Sequence, residues 1–197
     1  AIYWKKKERK EKVKRKIKMV GLDLDGTLLN DKKELLPYTK DVLRRAVDQG
    51  IIVLVATGRP WLGVPEELRN FPGMRYALTS NGARIIDRDE NRVIEEKLLP
   101  PELARKALEI CEKYDTLQEV YFDGQGYAQA DKMLHVEKYH KNPNMWEYIR
   151  TTRIPVEDIF ALVEKENRGM DKTQALFADM DERAKAWKQR EDVERLE

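Results

Sequence analysis

Asp23-Leu24-Asp25-Gly26-Thr27 is the stretch whose reading decides the fold. It follows the apolar residues Met19, Val20 and Leu22 and runs straight into a Gly-Thr turn. The apolar run predicts a buried strand over residues 17–24, with Asp23 at its C-terminal end. In open α/β sheets that end is where ligands bind. Side chains alternate along an extended segment, so Asp23 and Asp25 face the same side and can converge on one ligand. Gly26 then lets the backbone turn away sharply. Two convergent carboxylates at such a turn suit a site that handles a metal and a phosphate.

Working outward, Pro37 is placed to open a helix. Val42, Leu43, Ala46 and Val47 recur at helical spacing, and Gly50 is a C-terminal stop. Ile51-Ile52-Val53-Leu54-Val55-Ala56 follows, the continuous β-branched run of a parallel strand covered on both faces. Strand, helix and strand make a βαβ unit. Thr57-Gly58-Arg59-Pro60 comes next, and then a short helix from Pro65 to Asn70. A third strand, Tyr76 to Thr79, closes at Ser80-Asn81-Gly82-Ala83. All three strands thus end in a polar turn that contains glycine, and in a parallel sheet those turns lie along one edge.

Beyond Ala83 the pattern changes. Arg84 to Lys97 reads as a hairpin that turns near Asp89-Glu90-Asn91. Pro100-Pro101-Glu102 opens a helix with Leu103, Ala107, Leu108 and Cys111 on its apolar side. Asp123-Gly124-Gln125-Gly126 reads as a hairpin turn between Val120–Phe122 and Tyr127–Gln129, since no helix start follows it. A helix over 156–163, a strand over 173–177 and a charged helix over 181–195 complete the reading. The expected organisation is a basic extension (1–16), a parallel-sheet core (17–83) and an α+β unit (84–197).

Charged residues make up 38% of the 197, yet the formal net charge is only +2. Residues 1–18 hold ten Lys/Arg against two Glu, a net of +8, which leaves −6 on the rest. A basic arm on a mildly acidic body does not describe a nucleic-acid-binding domain; the arm reads as a solvated extension, with contact to RNA, DNA or acidic lipid the lesser alternative. One cysteine, Cys111, excludes an intramolecular disulfide and fits a reducing cytoplasm. No apolar run has the length of a membrane span. His135 and His140 are five apart with no third ligand nearby, and read as surface residues rather than a zinc site.

The three turns together resemble the haloacid dehalogenase-like (HAD) hydrolase superfamily, and more closely its Cof-type branch. The matching segments are Gly21-Leu22-Asp23-Leu24-Asp25-Gly26-Thr27-Leu28-Leu29, Ala56-Thr57-Gly58-Arg59-Pro60 and Thr79-Ser80-Asn81-Gly82-Ala83. The resemblance implies a Rossmann-like parallel-sheet core with an inserted α+β cap. It also implies a Mg²⁺-dependent phosphatase acting on small phosphorylated metabolites such as sugar phosphates. Asp23 would be the nucleophile that forms an aspartyl-phosphate. Asp25 would be the general acid and then the general base. Mg²⁺ would sit on an Asp23 oxygen and the Asp25 backbone carbonyl. Thr57 and the Gly58 amide would bind phosphate, with Arg59 and Asn81 against the substrate. The residues alone also admit quieter roles: a capping hydroxyl at Thr57, a salt bridge at Arg59 and a turn amide at Asn81.

Two family motifs after the cap have no match here: a phosphate-site lysine, and a Gly-Asp segment with a second Asp. Lys172 in Met170-Asp171-Lys172-Thr173 superficially resembles the first, but its spacing fits a cap strand better. The chain reads as an incomplete core carrying most of a cap. A phosphomutase of the same superfamily and a catalytically impaired binding module are the alternative functions.

Overall fold

The computed structural model describes residues 16–194, with side chains through Gln189. All but three residues of the basic arm therefore lie outside the described part. Two sheets organise the molecule. In the first, β1 (Met19–Leu22), β2 (Ile52–Ala56) and β3 (Tyr76–Thr79) are parallel and adjacent. Helix α1 (Pro37–Asp48) connects the first two, and the short α2 (Glu66–Arg69) precedes the third. Pro37 occupies the first turn of α1, and Gly50, at φ 74°, follows its end. Leu43 of α1 packs with Leu24, Val53, Val55, Leu68 and Phe71 in the core beneath this sheet.

β4 (Arg84–Asp87) and β5 (Arg92–Glu96) form the expected hairpin, but they continue the first sheet: β4 pairs antiparallel with β3. The residue taken above as the start of the second unit thus lies inside the first sheet. The break between sheets follows Glu96, where α3 (Pro101–Glu112) begins the next layer.

The second sheet has the order β8-β7-β6-β9. β6 (Thr116–Phe122) and β7 (Gln125–Gln129) are joined by the Asp123-Gly124 turn, with both residues at positive φ, 50° and 78°. That backbone is what a two-residue hairpin demands. Three helices follow: α4 (Ala130–Met133), α5 (Val136–Tyr139) and α6 (Pro143–Thr152). The start of α6 is written in the chain as Asn142-Pro143, the Asn142 side chain accepting from the Asn144 amide. The helix expected over 156–163 begins later. Arg153–Val156 is strand β8, paired parallel with β7, and α7 (Ile159–Glu166) starts after Asp158. The Asp158 carboxylate accepts from the Phe160 and Ala161 amides, which fixes that start. β9 (Lys172–Phe177) pairs with β6, and α8 (Met180–Glu194) follows.

The fold is α/β: a Rossmann-like core of three parallel strands with an α+β unit on a second sheet. α3 and α7 pack one face of that sheet through Ala104, Leu108, Ile159 and Val163. α4 to α6 cover part of the other face through Met133, Val136 and Ile149. The remainder of that face, which carries Glu119, Tyr121, Arg153 and Lys172, turns toward the first sheet.

Candidate active site

Asp23 lies one residue beyond β1, and Thr57 one residue beyond β2, so parallel pairing of these strands puts both at one sheet edge. The Asp23 carboxylate is exposed, with the Thr27 hydroxyl 3.5 Å away. The backbone then folds back on itself: the Leu28 amide donates to the Asp23 carbonyl and Leu29 to Leu24. Gly26, at φ 77°, permits that reversal.

Asp25 is held by two cations. Arg59 grips it bidentately, Nε to Oδ2 at 2.8 Å and Nη2 to Oδ1 at 2.7 Å. Lys33 adds a 2.7 Å bond to Oδ1. Arg59 hydrogen bonding dominates partial burial, and the carboxyl is lowered to about 2. Arg59 is buried, and its Nη1 donates to the Gly63 carbonyl at 3.0 Å. The sequence placed Arg59 against substrate or in a surface salt bridge; the structure buries its guanidinium and pairs it with Asp25, which is itself exposed. Lys33 was not anticipated, because it lies in an irregular loop at φ 65° where periodicity carries no signal.

The buried Thr57 hydroxyl accepts from the Arg59 amide at 3.1 Å, so it closes the turn, and its own proton remains to be donated. The Thr57 carbonyl accepts from the Asn81 amide and the Arg59 carbonyl from the Ser80 amide, which locks the second and third turns together. Ser80, Asn81 and Gly82 are consecutive residues at positive φ (51°, 59° and 95°). Such strained backbone concentrates at functional sites. A Cβ on Gly58 would lie 2.6 Å from Asn81 Oδ1, so the glycine admits the amide. The structure thus brings Asp25, Thr57, Gly58, Arg59 and Asn81 into one linked set, with Asp23 at the same edge.

The second sheet also reaches this edge. Lys172 Nζ donates to the Gly58 carbonyl at 2.7 Å. Lys172 begins β9 of the second sheet, yet it touches the second turn. Its ammonium lies 4.5 Å from the Tyr121 ring, and Arg153 lies 5.0 Å from the same ring. Arg153 pairs with Glu119 at 3.4 Å, and the Tyr121 hydroxyl donates to Glu119. Glu119, Arg153 and Tyr148 were not singled out from the sequence, since one charged or aromatic residue in a strand or helix carries no distinguishing pattern. His140 accepts from the Asn142 amide, and His135 is exposed beside Glu137.

A divalent ion has hard oxygen donors here in the exposed Asp23 carboxylate and the adjacent main chain. Among the described residues no cluster of three or more His, Cys, Asp or Glu adds to them. One or two carboxylates completed by water and phosphate oxygens is a donor set that suits Mg²⁺.

A family model described as haloacid dehalogenase-like hydrolase matches residues 20–194. A 5-amino-6-(5-phospho-D-ribitylamino)uracil phosphatase of Bacillus subtilis is 31% identical over 100 residues, 51% of this chain and 40% of the relative. An HMP-PP phosphatase of Serratia proteamaculans is 28% identical over 130 residues, 62% of this chain and 47% of the relative. The chain spans about half the length of the curated relatives it matches. A haloacid dehalogenase-like hydrolase from B. subtilis has a similar structure, with a TM-score of 0.73 and 25% identity over 89% of this chain and 67% of that one. With its three turns on one sheet edge and a match across most of its length, the chain belongs to the haloacid dehalogenase-like hydrolase superfamily, in its Cof-type branch.

Proposed function

We propose that this chain carries the nucleophile and acid–base residues of a Mg²⁺-dependent phosphatase for small phosphorylated metabolites, sugar phosphates among them, acting in the cytoplasm. The observation that carries the reading is the pairing of an exposed Asp23 with an Asp25 clamped by two cations at the same sheet edge. The phosphatases among its relatives support the class.

An Asp23 oxygen attacks phosphorus, the bond to the ester oxygen breaks, and its electron pair leaves on that oxygen. Asp25 gives this alkoxide a proton. Water then attacks the aspartyl-phosphate, Asp25 takes the proton, and phosphate leaves with Asp23 restored. Arg59 and Lys33 fix the Asp25 carboxyl at the sheet edge, and the proton that it gives in the first step returns to it from water in the second. The Thr57 hydroxyl, the Gly58 amide and Asn81 receive phosphate oxygens at the ends of the second and third strands. Asp23 and the Asp25 carbonyl would hold Mg²⁺, which would supply positive charge against the repulsion between carboxylate and dianion. The second sheet is the cap, and its polar face meets the leaving group.

Hydrolysis of a panel of phosphate esters by the parent chain and by Asp23→Asn tests the reading. Release of phosphate by the parent and none by the variant is expected. Equal, background release by both would overturn it.

A further inference from the structure

One face of one helix braces both cations that hold Asp25. Asn144 and Tyr148 are four apart on α6 and therefore point the same way. Asn144 Nδ2 donates to the Asp31 carbonyl at 2.8 Å, two residues before Lys33. The Tyr148 ring centroid lies 4.3 Å from the Arg59 guanidinium carbon. Each contact ends on the segment that supplies one of the two ligands of the Asp25 carboxylate.

The Tyr148 contact is built rather than incidental. A Cβ on Gly63 would lie 2.5 Å from the Tyr148 hydroxyl oxygen, so a residue with no side chain leaves room for the phenol. The carbonyl of the same glycine accepts from Arg59 Nη1. Arg59 is thereby fixed along its edges by Asp25 and Gly63 and over its face by the ring. The Arg153 guanidinium carbon lies 4.9 Å from the same ring. Asp25 and Glu119 take the charge of one guanidinium each, which lets two cations share one aromatic.

We propose that Asn144 and Tyr148 are positioning residues, through which the cap helix sets Arg59 and Lys33 on Asp25 whenever it is seated on the first sheet. The proposal rests on the acid–base role given above to Asp25. Neither residue touches the reacting atoms. Their effect therefore falls on turnover and is the same whatever leaving group the ester carries, unlike that of a residue that recognises substrate.

The test uses the whole chain as Tyr148→Leu, Tyr148→Phe and Asn144→Ala, with two readouts. One is steady-state hydrolysis of phenyl phosphate and of a sugar phosphate. The other is solvent exchange of the Arg59 Nε proton by NMR of ¹⁵N-arginine-labelled protein, which does not depend on turnover. Tyr148→Leu is expected to lower kcat about tenfold on both esters with KM little changed, and to speed Nε exchange by a similar factor. Tyr148→Phe, which keeps the ring, should restore both. Asn144→Ala, at an exposed position, should lower kcat in the same substrate-independent way.

Parent-like exchange in a folded Tyr148→Leu chain would overturn the proposal. So would impairment in Tyr148→Phe equal to that in Tyr148→Leu, because the ring would then not be the cause. If the parent hydrolyses no ester, the phosphatase reading fails by itself, and the exchange measurement still decides the positioning role.

Discussion

Lys172 on the last strand of the second sheet donates to the main-chain carbonyl of Gly58, in the turn that ends β2. A residue of the second sheet is thereby fixed to the backbone that would cradle phosphate. Its charge is costly there. Burial lowers its pKa to about 8, with Glu119 and Asp171 opposing the drop and Arg153 adding to it.

That shift gives stability a definite pH slope. An unfolded lysine keeps its proton to about pH 10.4. Between about pH 8 and that value the unfolded chain binds more protons at this site than the folded one, so the site's contribution rises with pH. Lys172→Met should remove this component. Urea midpoints of parent and variant, measured from pH 7.5 to 10.5, should diverge in the parent's favour as pH rises. A constant difference would refute the shift.

Arg84 is expected to be a costly ion-pair deletion. Its Nε donates to Asp171 at 2.6 Å, and its other nitrogens pair with Asp123 and Glu96. Asp171 is 4% exposed, and its second oxygen accepts from the Gly124 amide. Arg84→Met leaves that buried carboxylate without its hydrogen-bonded cation, a loss of about 3–5 kcal/mol. Chemical denaturation checks it, and Asp171→Asn should cost less because the neutral amide needs no partner charge.

Gly126→Ala tests the packing of the polar cap face. A Cβ there would lie 2.5 Å from Arg153 Cδ and 2.8 Å from Tyr121 Cε1, both in buried side chains. Overpacking of this kind costs about 1–3 kcal/mol. A melt indistinguishable from the parent's would mean that Arg153 and Tyr121 can move.

Arg59→Met should free Asp25 to titrate closer to its ordinary 3.8, with Lys33 still restraining it. In the parent the carboxyl, lowered to about 2, contributes stability above the unfolded value that is lost as pH falls through 2. A ¹³C titration of Asp25 in both proteins reads the change, and coincident curves would refute the dominance of Arg59.

The parallel core was legible because its strands are short apolar runs that end in glycine turns, and those turns carried Asp23, Thr57 and Asn81 with them. The Asp123-Gly124 hairpin was legible from turn chemistry alone. β8 was missed because Arg153–Val156 is four residues with a proline, and its apolar residues run on into those of α7. The boundary at residue 84 was read from a change of pattern, yet β4 and β5 are paired by hydrogen bonds that a pattern does not reveal. Tyr148 and Lys172 come to the site through contacts between distant segments, and Lys33 from an irregular loop eight residues beyond Asp25. No local periodicity encodes such contacts, so only the assembled fold could locate them.

Several bonds between the two sheets end on main-chain atoms: Lys172 on the Gly58 carbonyl, Asn144 on the Asp31 carbonyl, and the Leu62 amide on the Gly124 carbonyl. A peptide carbonyl is offered by every residue type. At Asp31 the side chain can therefore vary without altering how α6 is held, whereas Asn144 cannot change without altering it. Asp31→Ala should accordingly be silent in any assay that registers Asn144→Ala. Across this contact a diverging sequence is free to drift on the accepting residue and constrained on the donating one.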